Sequence, residues 1–325
     1  MSYANEFETL LGSYRDVVTH KLMLQDVVRT SAYADAIRAV VKPGDRVIDF
    51  GTGTGVLAIF AARAGATRVF AIERTSMVEH AREIARRNGH FEIQFHHGDE
   101  QSFTTDSPVD VIVSEWMGHF LFFESMLDPL ITLRKRWLKP GGIMIPARVS
   151  LTAALVIDEE LYEDGAFLET SPYGIDFGSI ANLPLRQSRF LDIEEHQILT
   201  PTIDLGSLDM LQVECTPTQL SGATVVEKTV TAFGLVGWFD AWLSRDVEFS
   251  TGPHQARTHW RPMFFPFPEP FECCPSRPIN VTIVPPRNVE VGDPVWAWSI
   301  SDSKATLAVD ERDTFARTCG APKLR

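Results

Sequence analysis

Cysteine is scarce in this sequence: four among 325 residues, two of them adjacent, Cys273 and Cys274. That number and spacing make neither a disulfide framework nor a zinc pattern. A reducing, cytoplasmic compartment is expected, with no metal site. No apolar run approaches the roughly 18 residues of a membrane-spanning helix, so no membrane partner is expected. The opening residues, Met1-Ser2-Tyr3-Ala4-Asn5-Glu6, lack a charged-then-apolar secretory signal. Positive charge is also short: 30 Lys and Arg stand against 43 Asp and Glu, for a net −13. Phosphate contacts need basic surface, so a direct nucleic-acid partner is disfavoured. An acidic field attracts a cationic partner instead. What remains is ordinary for a globular chain, 44% apolar and 22% charged, and long enough for two domains.

The stretch Arg46-Val47-Ile48-Asp49-Phe50 reads as a buried strand. Gly51, Gly53 and Gly55 follow, and then an apolar helix from Val56 to Ala64. Strand, glycine turn and helix is how an α/β sheet presents a nucleotide-like ligand. Glycine lets the backbone approach the ligand, and the helix N-terminus offers unpaired N–H groups to an anion. The spacing is G-x-G-x-G, not the G-x-G-x-x-G of dinucleotide sites. A second strand, Arg68–Ile72, ends on Glu73, placed to take a ribose. Asp49, the glycines and Glu73 resemble the S-adenosylmethionine site of class I methyltransferases; a dinucleotide site or a plain βα turn is the alternative.

Asn5–Ser13 and His20–Val41 carry helical apolar spacing, too short for a core of their own, and are expected as a lid over the ligand. Arg29 in this lid could reach the donor carboxylate. Residues 43–148 alternate strand and helix, which implies a parallel, Rossmann-like sheet. From 149 to 325 the character is all-β, with strands expected at Val149–Val156, Met210–Cys215, Val225–Phe233, Leu235–Leu243, Ile279–Val284 and Val295–Ile300. The insertion from Glu159 to Asp204 carries Tyr162, Phe167, Leu168, Tyr173, Phe177, Ile180 and Leu183, apolar material that usually finds a partner surface.

The fourth strand, Val109–Ser114, runs into Glu115-Trp116-Met117-Gly118-His119-Phe120-Leu121-Phe122-Phe123-Glu124-Ser125-Met126. Ligands of open α/β sheets bind beyond the carboxyl ends of the strands, which places Glu115 at the donor. Glu124 returns across an apolar loop. Two carboxylates facing each other at about 5 Å repel by about 3 kcal/mol at an effective dielectric of about 20. A cation between them reverses the sign. Guanidinium suits the pair: flat, permanently charged and fork-shaped, it can bind both acids and leave one nitrogen aimed at the methyl donor. In the β half, His259 beside Trp260 is a candidate proton acceptor, with Asp26 of the lid as a carboxylate partner.

The glycine site, the loop S-E-W-M-G-x-x-L-x-x-E-S-M and the tripeptide Thr258-His259-Trp260 resemble the protein arginine N-methyltransferase family, in order and spacing from about Tyr14 to about Trp298. The resemblance implies a methyltransferase domain, a β-barrel, and a dimerisation arm at about residues 160–190 within the barrel, giving a homodimer. It implies that Glu115 and Glu124 clamp the guanidinium and that His259 with Asp26 helps the proton depart. His20, Met23 and Arg29 match the lid motif over the donor; Gly51 and Gly53 approach its methionine part; Glu73 takes the ribose. Glu100, next to the matched Gln101, is the candidate adenine-side acid. Tyr14, Met126 and Trp260 fall at substrate positions, and Met23 and Met126 match methionines of members that form asymmetric dimethylarginine. S-adenosylmethionine is thus the implied cofactor and an arginine-bearing protein or peptide the implied substrate.

The chain departs from the family at Leu10-Leu11-Gly12-Ser13, where Y-F-x-x is common ahead of Tyr14, and at His119 and Phe123, where many members carry tyrosine. These changes leave a small guanidino compound as an alternative acceptor, and a non-catalytic donor-binding scaffold as a third reading.

Overall fold

The structure is a computed structural model that describes residues 16–286 and 295–312. Helix α1 (Val17–Gln25) and helix α2 (Val27–Val40) precede the first sheet. The apolar spacing predicts one helix here, but Asp26 divides it. Its Oδ1 accepts the backbone N–H of Arg29 at 2.9 Å, so it caps α2 while closing α1. The expected helix at Asn5–Ser13, and Tyr14, lie outside the described residues.

Strands β1 (Arg46–Phe50), β2 (Arg68–Glu73), β3 (Ile93–His97), β4 (Val109–Val113) and β5 (Leu138–Ile145) form a fully parallel sheet in the order β3-β2-β1-β4-β5. Helices α3 (Val56–Arg63), α4 (Met77–Arg87) and α5 (Leu127–Trp137) make the crossovers. The strand order reverses at β1 and β4, so the crevice between their carboxyl ends is the natural ligand position. The sequence places the start of β5 at Ile143, after Pro140-Gly141-Gly142. It starts instead at Leu138, and the extra residues form an irregularity between the pairs Val109–Leu138 and Val111–Ile143. Proline is tolerated there because β5 is an edge strand.

The second half is antiparallel. Strands β6 (Arg148–Val156), β7 (Arg189–Phe190), β8 (Ile198–Asp209), β10 (Val230–Trp242), β11 (Glu248–Ser250) and β12 (Met263–Cys273) make one sheet, ordered β7-β12-β10-β6-β8 with β11 on β10. Strands β9 (Leu220–Thr224), β13 (Ile279–Val284), β14 (Ala297–Ser301) and β15 (Thr306–Asp310) make the other. Leu205, Phe265, Val281 and Trp298 of the two sheets belong to one buried cluster, which continues into the parallel half. The strand expected at Met210–Cys215 is a turn, and the strand is β8 before it. The two strands expected at Val225–Phe233 and Leu235–Leu243 are a single strand, β10, with a bulge between Ala232 and Gly234. Helix α6 (Glu159–Gly165) and three short turns of 3₁₀-helix fill the insertion between β6 and β7.

Candidate active site

Asp49 closes β1 and organises the glycine turn from beneath. It is fully buried, and its Oδ2 accepts from Thr52 Oγ1 at 2.5 Å and from the Ala58 backbone N–H at 2.9 Å. Burial pushes its carboxyl up to about 7; these hydrogen bonds oppose the rise, and the nearby charge of Glu73 adds to it. Above it, Gly51 and Gly53 take φ of 73° and 52°. Both need to be glycine for space as well. A Cβ on Gly51 would lie 3.0 Å from Met126 Cε, and one on Gly53 would lie 2.8 Å from His20 Cε1. The turn is thus covered by His20 of α1 on one side and Met126 on the other. Glu73, at the end of β2, accepts from the Gly53 N–H at 3.0 Å and the Thr75 N–H at 2.8 Å. Each carboxylate oxygen keeps a second lone pair for a ribose hydroxyl.

Glu115 follows the last residue pinned by β4. Ser114 N–H donates to Ile145 O at 3.0 Å, Ser114 Oγ donates to Phe50 O at 2.8 Å, and Tyr33 of α2 donates its hydroxyl to Ser114 O at 3.1 Å. Burial and the Glu115 charge hold the Tyr33 hydroxyl well above its usual pKa, so it remains a donor. Arg29 is buried with its Nε 3.6 Å from Glu115 Oε2, and its NH1 donates to Met23 O at 2.8 Å. Among the described residues, Arg29 Nε and Glu115 Oε1 have no hydrogen-bond partner although both are buried. Orphaned buried polar atoms are costly, and a polar ligand beside Arg29 and Glu115 would satisfy these two.

The loop beyond Glu115 turns tightly through Phe120 (φ 49°), Leu121 (φ 65°) and Ser125 (φ 53°). Such backbone persists only where its surroundings fix it. Here Gly118 lets the chain fold back: a Cβ on it would lie 2.9 Å from Glu124 Cγ. Phe120 plugs the loop into the β half, packing on Phe265 and Trp296 at 5.6 Å between ring centroids. Gly237 of β10 leaves the room, since a Cβ there would overlap the Phe120 ring. Glu115 and Glu124 are therefore brought back to one strained loop beside the glycine turn.

His259 Nδ1 is 2.8 Å from Asp26 Oδ2, which also accepts the His259 backbone N–H at 2.7 Å. Burial pulls the Asp26 carboxyl up, but the His259 ring and the backbone N–H groups of Arg29 and His259 outweigh it and hold it below the usual range. With an ionised acid on Nδ1, the ring proton sits on Nδ1 and Nε2 is the acceptor. Trp260 is only 3% exposed; its Nε1 donates to Met117 O at 2.8 Å and its ring stacks on Phe249. Its contacts tie the β half to the two-glutamate loop. His119, where the family often has tyrosine, is buried against Phe190 and accepts the Arg261 N–H at 3.4 Å on Nδ1. Burial, helped by the charges of His259 and Arg261, drives it down to about 3, so it stays neutral.

Contacts thus join the expected site residues in groups: His20 and Met126 lie against the glycine turn at Gly53 and Gly51, Glu73 bonds to Gly53, Arg29 meets both Met23 and Glu115, Glu124 lies against Gly118, and Asp26 bonds to His259. For Glu100 the contact given is by its backbone: its carbonyl accepts from Arg136 NH1 at 2.8 Å. Sequence reading missed Tyr33, Ser114, Phe120 and Gly237, which place the site from other elements. Only the tightness implied by Gly118 and Gly237 in apolar surroundings hinted at them.

Comparison with known proteins bears on the family and the fold. A family model described as a methyltransferase domain matches residues 16–206, and one described as the arginine methyltransferase oligomerization subdomain matches residues 147–300. Protein arginine N-methyltransferase 1.1 of Arabidopsis thaliana is 32% identical over 282 residues, covering 83% of this chain and 72% of that protein. The Trypanosoma brucei PRMT1 enzyme–prozyme heterotetrameric complex with AdoHcy superposes with a TM-score of 0.82 at 26% identity, covering 91% of this chain and 99% of that one. Arabidopsis thaliana protein arginine methyltransferase 10, in an open conformation, gives 0.77 at 27% identity, over 91% and 98%.

Proposed function

Since the chain belongs to the protein arginine N-methyltransferase family, we propose that its Glu115 and Glu124 grip the guanidinium of a protein or peptide arginine beside a donor held on the glycine turn. The enzyme is an S-adenosylmethionine-dependent protein arginine N-methyltransferase. The orphaned atoms and the glycine cradle fit that cofactor. Gly51, Gly53, His20, Met23 and Arg29 hold its methionine end, and Glu73 its ribose; Glu100 is kept as the adenine-side acid on the sequence match alone. When bound, S-adenosylmethionine supplies an electrophilic methyl group on a sulfonium.

The observation that carries the assignment is Glu115 at the mouth of β4, with one oxygen near Arg29 and the other buried and unpartnered. Arg29 offsets the charge of the first acid, so the site costs less to keep ionised, and Glu124 supplies the second acid for the cation. The acids draw positive charge toward the bound nitrogens and leave the third to react. His259 Nε2 accepts the proton that the reacting nitrogen releases, with Asp26 stabilising the imidazolium. Met126 walls the pocket, Trp260 acts through Met117, and Tyr14 completes the substrate side. Asymmetric dimethylarginine is the proposed final product, on the methionines at 23 and 126.

The division proposed is a lid at 1–42, a donor domain at 43–148 and a β domain at 149–325 with its arm at about 160–190; the oligomerization-subdomain match from residue 147 supports the second boundary. The arm exposes Phe167, Ile175 and, at 93% exposure, Tyr173, which supports a homodimer formed through it. The free thiols of Cys215, Cys273 and Cys274 support a cytoplasmic location. Among the described residues no helix is long and apolar enough to cross a membrane. Incubation with methyl-labelled S-adenosylmethionine and an Arg-Gly-rich peptide tests the function: label is expected on arginine, and label confined to a free guanidino metabolite would overturn the protein-substrate assignment.

A further inference from the structure

A cleft of about 180 Å³ lies in the β half, walled by Asp192, Ile193, Gln255, Arg257, Thr258 and Trp260 among others. Thr258 and Trp260 flank His259 in the chain, so the cleft adjoins the proposed acceptor site. Arg257 is two residues from His259, at most about 7 Å between Cα atoms. A residue near the target arginine of a bound peptide is within reach of it.

The polar groups of the cleft are unevenly committed. Thr258 Oγ1 donates to Trp260 O at 3.0 Å, and Thr251 Oγ1 is bonded to both the N–H and the carbonyl of Phe239 at 3.1 Å. Neither hydroxyl faces a ligand. Asp192 Oδ2 accepts from Arg257 NH2 at 2.5 Å and also from Arg261 NH2 at 3.0 Å. Because one oxygen serves two guanidiniums, Arg257 lacks the two-point pairing its fork favours. Asp192 is its one ionic partner among the described residues, and its side chain is 71% exposed. At the rim, Glu195 is already paired with His254. A guanidinium with donors to offer, in a chain of net charge −13, is a local reversal of sign at the mouth of the site.

We propose that this cleft is a carboxylate subsite in which Arg257 receives an acidic side chain of the substrate close in sequence to the target arginine. The proposal rests on the arginine-methylating assignment above and adds to it a preference, among arginine substrates, for those with an acidic neighbour. Asp192 holds the Arg257 head over the cleft; Arg257 donates the second pair of hydrogen bonds to the incoming carboxylate.

The test uses arginine peptides in which one glutamate is walked through positions within about three residues of the target, each with a glutamine counterpart. KM is expected to be about threefold lower for the glutamate peptide at the favoured position, the size of a partly exposed ion pair. Arg257→Gln should bring that ratio to one, and Arg257→Glu should invert it; the side chain at 257 faces water, so neither change disturbs the core. Equal KM for every pair, or a ratio unmoved by both substitutions, overturns the subsite. Fluorescence anisotropy of the same peptides with S-adenosylhomocysteine present reads the ratio without turnover. Absence of methyl transfer would then count against the catalytic assignment, while the binding ratio still decides for or against the subsite.

Discussion

A fully buried carboxyl sits under the glycine turn, and its titration is a measurable single-residue effect. Asp49 has a folded-state pKa of about 7 against an ordinary 3.8. Between those values the folded chain holds a proton that the unfolded chain has released. Its contribution to stability therefore falls as pH rises through that window and is constant above it. Asp49→Asn cannot titrate. The wild type should lose thermal midpoint relative to the variant between about pH 4 and 7, read by differential scanning calorimetry; parallel curves would show that Asp49 is ionised throughout. Asp26 has the opposite sign. Its carboxyl lies below the usual range, so its contribution is present near neutrality and lost only as pH falls below about 4.

Elements meet at the loop after β4, where a phenylalanine from the parallel half enters the antiparallel half. Gly237→Ala puts a methyl group into the Phe120 ring. The expected cost is about 1–3 kcal/mol of stability by denaturant titration, together with reduced methyl transfer as the two-glutamate loop shifts. An unchanged midpoint would mean that the loop is not docked there. This contact also shows where sequence reading stops. The parallel half was legible because β1, β2 and β4 are short apolar runs, and glycine or proline follows β1, β3 and β5. Strand β8 was not: Pro201, Asp204 and Gly206 interrupt its apolar pattern, so the more apolar Met210–Cys215 beside it drew the assignment. Strand β12 carries Pro266, Pro268 and Pro270, which argue against a strand until Pro266 is seen opposite Gly234, beside the pair Leu235–Phe265. Asp26 was readable as the partner of His259, but its role in dividing and capping the two helices was hidden inside a continuous helical spacing. Glu115, Glu73 and the glycines were readable because their chemistry follows from their place at strand ends. The bonds from Tyr33 to Ser114 and from Trp260 to Met117 were not, since 81 and 143 residues of chain separate their partners.

At the scale of the whole molecule, the two N-terminal helices bond to both halves, Tyr33 to Ser114 and Asp26 to His259, and the proposed arm leaves apolar side chains exposed. Tyr173 at 93% exposure and Phe167 at 51% are expensive in a monomer. Removal of residues 165–185 should convert the species seen by light scattering to a monomer and lower activity; a fully active monomer would refute the part assigned to the arm. The central claim is narrower: two acids hold the acceptor, while other residues hold the donor. Glu124→Gln keeps the shape of the side chain and removes its charge. Single-turnover methyl transfer to an arginine peptide, measured beside calorimetric binding of S-adenosylmethionine, separates the two roles. Transfer is predicted to fall about a hundredfold or more with donor affinity nearly unchanged; undiminished transfer, or an equal loss of donor binding, would contradict the account.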